Sequence, residues 1–253
     1  MSTESDDLDT FLNAYQKVRH LEQWGGDDLD LPFHPRRHKN IWAIRRRTFR
    51  RFRRLAHHVP RGFAVDVGAG NCWMTRYLSS WGFDAVAVDV DASAADGLGA
   101  ARVFLEQGAV FRRVRASMDR LPFRSGLVSL VAANASIHYA PDLMAALAEF
   151  RRVVAPGGII AVLDTPCYDH PADGERMVRE RAQRFRRDFD LPEAVARRSR
   201  YLTFDGIRTL ATSLDLRYQI VPVWPGLRRT GQALRARLAG QPIAEFPIII
   251  FEK

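Results

Sequence analysis

Cysteine is scarce: Cys72 and Cys167 are the two in 253 residues. Two cysteines cannot build a disulfide framework, and no Cys/His set has the spacing of zinc ligands. Lysine is scarcer still relative to its partner cation. Three lysines (Lys17, Lys39, Lys253) stand among 38 basic residues, the rest being arginine. Coding bias produces such an imbalance as readily as a polyanionic partner does. The net charge of +9 therefore does not by itself point to nucleic acid. Long apolar runs are missing too; none approaches the roughly 18 residues a membrane helix needs. The opening MSTESDDLD is acidic and polar, without signal-peptide pattern, so a cytoplasmic protein with no membrane span is expected. What is present is ordinary: 47% hydrophobic and 26% charged residues, a globular composition. A chain of this length buries a large core without staples.

Apolar residues at helical spacing predict a first helix over Leu8–Leu21, through Phe11, Leu12, Tyr15 and Val18. Gly25-Gly26 and two prolines then break the pattern. A second helix is expected from about Asn40, as N-cap, to His58, with Ile41, Ile44, Thr48, Phe52 and Leu55 as its apolar stripe. From Phe63 onward, strands and helices alternate. Strands are predicted at 63–67, 84–90, 109–117, 127–134 and 157–165. Helices are predicted at 73–82, about 92–107 and 141–154. Alternation implies right-handed βαβ units and a parallel sheet. Beyond Thr165, helices at 173–189 and 205–214 and strands at 216–223 and 246–253 are expected, with a basic helix over 226–240. Residues 1–60 read as an N-terminal helical extension or lid. Residues 61–253 read as one domain, with cap insertions at about 166–200 and 224–243.

The sharpest local feature is Val65-Asp66-Val67-Gly68-Ala69-Gly70-Asn71-Cys72-Trp73, between a strand and a helix. Glycines there let the backbone turn tightly and approach a ligand, with the positive helix end behind them. Nineteen residues past Gly70, the second strand ends in Asp89, where a carboxylate can accept both hydroxyls of a ribose. Turn, helix and strand-terminal acid together indicate a nucleoside-containing cofactor. Cys72 and Cys167 follow strand ends, but a small buried hydrophobe accounts for each.

The turn lacks the third glycine of a dinucleotide fingerprint and is preceded by an acid. It resembles motif I of the class I S-adenosylmethionine-dependent methyltransferases, with Cys72 in place of the last glycine. Val114–Phe123 and Ser129–Pro166, including Arg152 through Gly158, resemble the methyltransferase type 11 group, over about Arg61 to Pro166. The resemblance implies an α/β, Rossmann-like class I methyltransferase fold. Its sheet would be seven-stranded and mostly parallel, with an antiparallel last strand and a helical cap. It implies S-adenosyl-L-methionine as cofactor and S-adenosyl-L-homocysteine as product. Gly68, Ala69 and Gly70 would lie against the methionine part, Asp89 on the ribose, Val90 on the adenine, and Ser117 and Met118 along the adenine edge. Asn134 would lie beneath the methyl group, and Asp66 would orient the turn from behind.

His138 follows the fourth strand, where acceptors enter in relatives. It is the candidate base, titrating near 6.5 if unperturbed. Tyr139, Asp164, Tyr168 and His170 are candidates for contact with the acceptor. Trp73, Tyr77 or Tyr139 could face the sulfonium. Arg47 is the guess for the cofactor's carboxylate. The implied activity is methyl transfer to oxygen or nitrogen of a small organic acceptor, in a biosynthetic setting. Two rivals are a methyltransferase acting on RNA or other nucleic acid through residues 31–65, which hold ten arginines and no acid, and a cofactor-binding accessory protein without catalysis.

Overall fold

The computed structural model describes residues 2–24, 30–191, 200–223 and 244–253. The predicted helix at 226–240 lies outside these, as does the whole of the 224–243 insertion. Helices α1 (Ser2–Leu21) and α2 (Lys39–Ala56) lead into strand β1 (Phe63–Val67). There follow α3 (Trp73–Ser80), β2 (Asp84–Asp89), α4 (Arg102–Glu106), β3 (Arg112–Arg115), β4 (Val128–Asn134), α5 (Leu143–Val153) and β5 (Val154–Leu163). The chain continues through β6 (Cys167–Tyr168), α6 (Pro171–Phe189), β7 (Leu202–Thr203), α7 (Phe204–Ser213), β8 (Arg217–Val221) and β9 (Ile248–Glu252).

Seven strands form one sheet in the order β3-β2-β1-β4-β5-β9-β8. All neighbouring pairs are parallel except those of β9, which runs antiparallel to both β5 and β8. This is the expected sheet. Its central strands are mostly apolar because both faces are covered: Ala64, Val65, Val67, Leu130, Val131, Ala132, Ala133, Ile160 and Ala161 are all buried. From β1 the chain builds outward to β2 and β3, then returns to place β4 on the other side. The order reverses between β1 and β4, and a crevice opens there at the strand C-terminal ends.

Local chemistry shifted several boundaries. The stretch predicted as one helix over 92–107 is a turn, then a short 3₁₀ segment (Leu98–Ala101) and α4. Asp91 holds that turn: its side chain accepts from Ser93 N at 2.8 Å and its carbonyl from Leu98 N at 2.9 Å. Asp and Ser bonding to nearby backbone compete with helix in this way. Helix α5 starts at Leu143 rather than Pro141, because Asp142 is its N-cap and its carboxylate accepts from Met144 N and Ala145 N. Helix α2 lacks the predicted Asn40 cap and follows His38, with no side-chain cap bond. Its buried stripe is Trp42, Thr48, Phe49, Phe52 and Ala56, while Ile41 and Ile44 turn towards a cavity instead. The pair β6–β7 was not predicted; two residues per strand give no periodicity to read. Among the described residues, no helix is long and apolar enough to cross a membrane.

Candidate functional site

The turn after β1 is fixed by backbone and carboxylate together. Gly68 N and Ala69 N donate to Val88 O at 2.8 and 3.1 Å. Gly70 N donates to Asp89 Oδ2 at 2.8 Å, and Asp91 N to Asp89 Oδ1 at 2.8 Å. Gly68 has φ +69°, and a Cβ there would lie 2.3 Å from Ser136 Cβ. Glycine is required on both counts. Below the turn, Thr75 Oγ1 donates to the buried Asp66 carboxylate at 2.6 Å, tying β1 to α3. Burial pushes the Asp66 carboxyl up to about 7. Burial also pushes Asp89 up to about 6; the two N–H donors oppose this and the neighbouring Asp91 and Asp96 charges add to it. Each Asp89 oxygen takes one backbone N–H and keeps a lone pair for a further donor.

Two cavities open beside this turn. The first, about 310 Å³, is lined by Gly68, Ala69, Gly70, Asn71, Trp73 and Asn134 from the sheet side. Tyr15, Arg19, Trp24, Trp42 and Arg45 close it from α1, α2 and the segment between. Helix α1 is held over the β2 end by the Arg19–Asp96 ion pair and by Gln16 Nε2, which donates to Asp91 Oδ1 at 3.0 Å.

The second cavity, about 450 Å³, is largely apolar: Phe11, Val18, Ile44, Met177, Phe185 and Phe246 contribute to its wall. His138, Tyr139, Asp164, Arg45 and Arg181 supply its polar groups. Tyr15, Arg19, Trp24, Arg45 and Ala135 line both cavities, so the two meet there. Arg181 Nη2 donates to Tyr139 Oη at 3.1 Å. Thr48 Oγ1 donates to Asp164 Oδ1 at 2.7 Å. Burial raises the Asp164 carboxyl, against the pull of Arg45 and Thr48.

Two ends of βα units with a crevice between them are a general architecture; similarity to known proteins narrows it. Residues 65–162 match the family model described as a methyltransferase domain. These residues form a methyltransferase domain. The chain is 29% identical over 170 residues to the dimethylglycine N-methyltransferase of Parasynechococcus marenigrum, covering 66% of this chain and 57% of that one. It is 27% identical over 155 residues to the sarcosine/dimethylglycine N-methyltransferase of Halorhodospira halochloris, covering 60% and 55%. The chain thus spans just over half the length of these two relatives. The solved YcgJ protein from Bacillus subtilis has the same fold, with TM-score 0.62 at 18% identity, over 81% of this chain and 96% of that one.

Within this methyltransferase domain, the structure brings some expected residues together and leaves others apart. Gly68, Ala69, Gly70 and Asn134 line the first cavity, with Asp89 and Asp66 bracing the turn behind. Val90, Ser117 and Met118 follow β2 and β3, outside the lining of either cavity. His138, Tyr139, Asp164 and Tyr168 line the second cavity, whereas His170 is exposed at the start of α6. Trp73 faces the first cavity and Tyr139 the second, but Tyr77 packs with Phe33 and Phe49. Arg47 is exposed on α2 and lines neither cavity; Arg45, two positions earlier and on the opposite side of the helix, lines both. Cys72 and Cys167 are fully buried, as small hydrophobes would be.

The titration expected of His138 is corrected. Its ring is buried, with Nδ1 3.3 Å from Thr165 Oγ1. Burial, and then the Arg181 and Arg45 charges, push it down to about 3. An imidazole so reluctant to hold a proton is neutral across the physiological range and poorly matched to base catalysis. Sequence reasoning missed Arg19, Trp24, Arg45, Arg181 and Phe246 as lining residues. The arginines were hidden among many others, and the rest belong to elements distant in sequence.

Proposed function

We propose that the chain transfers a methyl group from S-adenosyl-L-methionine to oxygen or nitrogen of a small organic acceptor. The observation that carries this reading is the meeting of the two cavities at Ala135, just past β4. One cavity is floored by a glycine turn; the other is apolar and closed by helices. The residues of the first fit the cofactor. The positive-φ glycines admit a ligand close to the backbone, and Asp89 keeps acceptor capacity for two ribose hydroxyls. Gly68, Ala69 and Gly70 would hold the methionine part and Asp89 the ribose. Val90, Ser117 and Met118 would border the adenine, and Asn134 would lie beneath the methyl group. Asp66 would hold the turn in place. Tyr139, Asp164 and Tyr168 would face the acceptor.

When bound, the cofactor supplies an electrophilic methyl on a sulfonium. The chain's own contribution is to hold the acceptor in line with that group and keep water out. Residues 1–60 act in this reading as a lid, since α1 and α2 close both cavities. The test has two parts. Titration calorimetry with S-adenosylhomocysteine should show binding, and an acceptor library should show methyl transfer. Binding without turnover on any acceptor would favour a non-catalytic protein. Turnover on RNA that collapses steeply with salt would favour a nucleic-acid substrate.

A further inference from the structure

Arg45 differs from the other guanidinium groups at the second cavity. It stacks over Trp42 at 4.9 Å and Trp24 at 5.5 Å from the ring centroids. Among the described residues it makes no hydrogen bond and no ion pair. Arg19 is paired with Asp96, and Arg181 is bonded to Tyr139. The first cavity has two further arginines of its own, Arg36 and Arg37, which do not line the second. In the second cavity, Arg45 is the cation without a hydrogen-bonded partner.

We propose that the second cavity takes an apolar carboxylic acid, with Arg45 binding its carboxylate and the aromatic wall its hydrocarbon body. The inference rests on the methyltransferase reading above and names the acceptor class for that site. A planar guanidinium with open donors, held beside two indoles, is preorganised for a carboxylate. Both stacked rings leave its edge donors unused. Arg45 and Arg181 together make the cavity positive: both depress the protonation of His138. The acids that face the cavity, Glu22 and Asp164, each already have a hydrogen-bonded partner, and the Asp164 charge also acts on Arg45. Glu22 is ion-paired with Arg184 and accepts from Trp24 Nε1. Asp164 accepts from Thr48; burial raises its carboxyl, and Arg45 and Thr48 oppose this. An acceptor without an anionic or hydrogen-bond-accepting group would leave the Arg45 donors unpartnered in an apolar wall, which is costly. Phe11, Val18, Ile44, Met177, Phe185 and Phe246 suit a body of aromatic or branched hydrocarbon. The anchored carboxylate fixes one end of the acceptor, and the oxygen or nitrogen that receives the methyl lies elsewhere on it.

The experiment is titration calorimetry on the full chain saturated with S-adenosylhomocysteine. The probes are benzoate, phenylacetate and 4-phenylbutyrate, each paired with its neutral amide. At least one acid should bind about tenfold to a hundredfold more tightly than its amide, the range for a hydrogen-bonded charged pair. Arg45→Gln should remove that preference, and Arg45→Lys should restore part of it. The same variants are titrated with S-adenosylhomocysteine and with methylthioadenosine, which lacks the amino-acid part. Equal binding of acids and amides by the wild type overturns the proposal. So does an Arg45→Gln variant that keeps the acid preference while losing affinity for S-adenosylhomocysteine but not for methylthioadenosine. That result would assign Arg45 to the cofactor's own carboxylate. Absence of any S-adenosylhomocysteine binding would instead strike the methyltransferase reading. The acid–amide comparison, repeated without it, would still decide the charge preference of the cavity.

Discussion

The two cavities share a border but not a construction. The first has its floor in one short segment, Gly68–Asn71, braced by a single carboxylate 19 residues on. The second draws on α1, α2, the β4 and β5 ends, α6 and the approach to β9, so its wall spans Phe11 to Phe246. A floor made by consecutive residues can vary little, because backbone conformation dictates it: Gly68 tolerates no Cβ. A wall assembled from side chains on separate helices can change one residue at a time. In the proposed reading, cofactor recognition would rest on backbone geometry and the Asp89 carboxylate, and acceptor recognition on side-chain identity.

Substitutions should separate the two. The largest effect is expected at Asp89. Asp89→Ala removes two carboxylate–hydroxyl bonds and two braces of the turn. It should weaken S-adenosylhomocysteine by about tenfold to several hundredfold in calorimetry, at roughly 1.5–3 kcal/mol for each charge-assisted bond. A change below about threefold would detach Asp89 from the cofactor. Filling the other cavity should do the reverse. Met177→Trp should cut turnover on a true acceptor by about tenfold or more while S-adenosylhomocysteine binds within about twofold, since pocket volume discriminates on that scale. Equal loss of both would merge the cavities into one functional unit.

A smaller effect follows from the raised Asp89 carboxyl. Ribose hydroxyls donate to the ionised form, so binding favours deprotonation. Affinity for S-adenosylhomocysteine should therefore be full above pH 7 and fall as pH drops through about 6. The loss by pH 5 should be roughly tenfold, one decade per pH unit below the midpoint. Asp89→Asn should flatten that dependence, and a wild type already flat would show that Asp89 does not touch the ligand. The smallest effect is expected at His138. Because its ring is neutral throughout, His138→Gln should change turnover by less than about tenfold, below the usual contribution of a positioned base. The wild-type rate should show no break near pH 6.5. A hundredfold loss accompanied by such a break would restore His138 as the base.

The same contrast explains what could be read in the sequence. The strands β1, β2, β4 and β5 and the turn at Gly68 were legible because strand, turn, helix and acid follow one another within a short stretch. Their chemistry is backbone chemistry, and glycine and strand-terminal Asp announce it. The residues of the second cavity were partly legible where they follow a strand, as His138, Tyr139 and Asp164 do. Arg45 and Arg181 were not, because nothing in an arginine-rich helix marks the one that turns inward. Ile41 and Ile44 were taken for core because a cavity-facing apolar residue has the same spacing as a core-facing one. His138 was placed by its neighbours along the chain, but its proton affinity is set by Arg45 and Arg181, which come from α2 and α6.

The central claim is that a glycine-floored cofactor cavity and an apolar acceptor cavity meet at Ala135. A crystal structure with S-adenosylhomocysteine tests it directly. The account predicts the amino-acid part against Gly68–Gly70, the ribose hydroxyls on Asp89, and the sulfur facing Ala135 with the second cavity open beyond it. A ligand bound elsewhere, or a sulfur walled off from Tyr139 and Arg45, would contradict it.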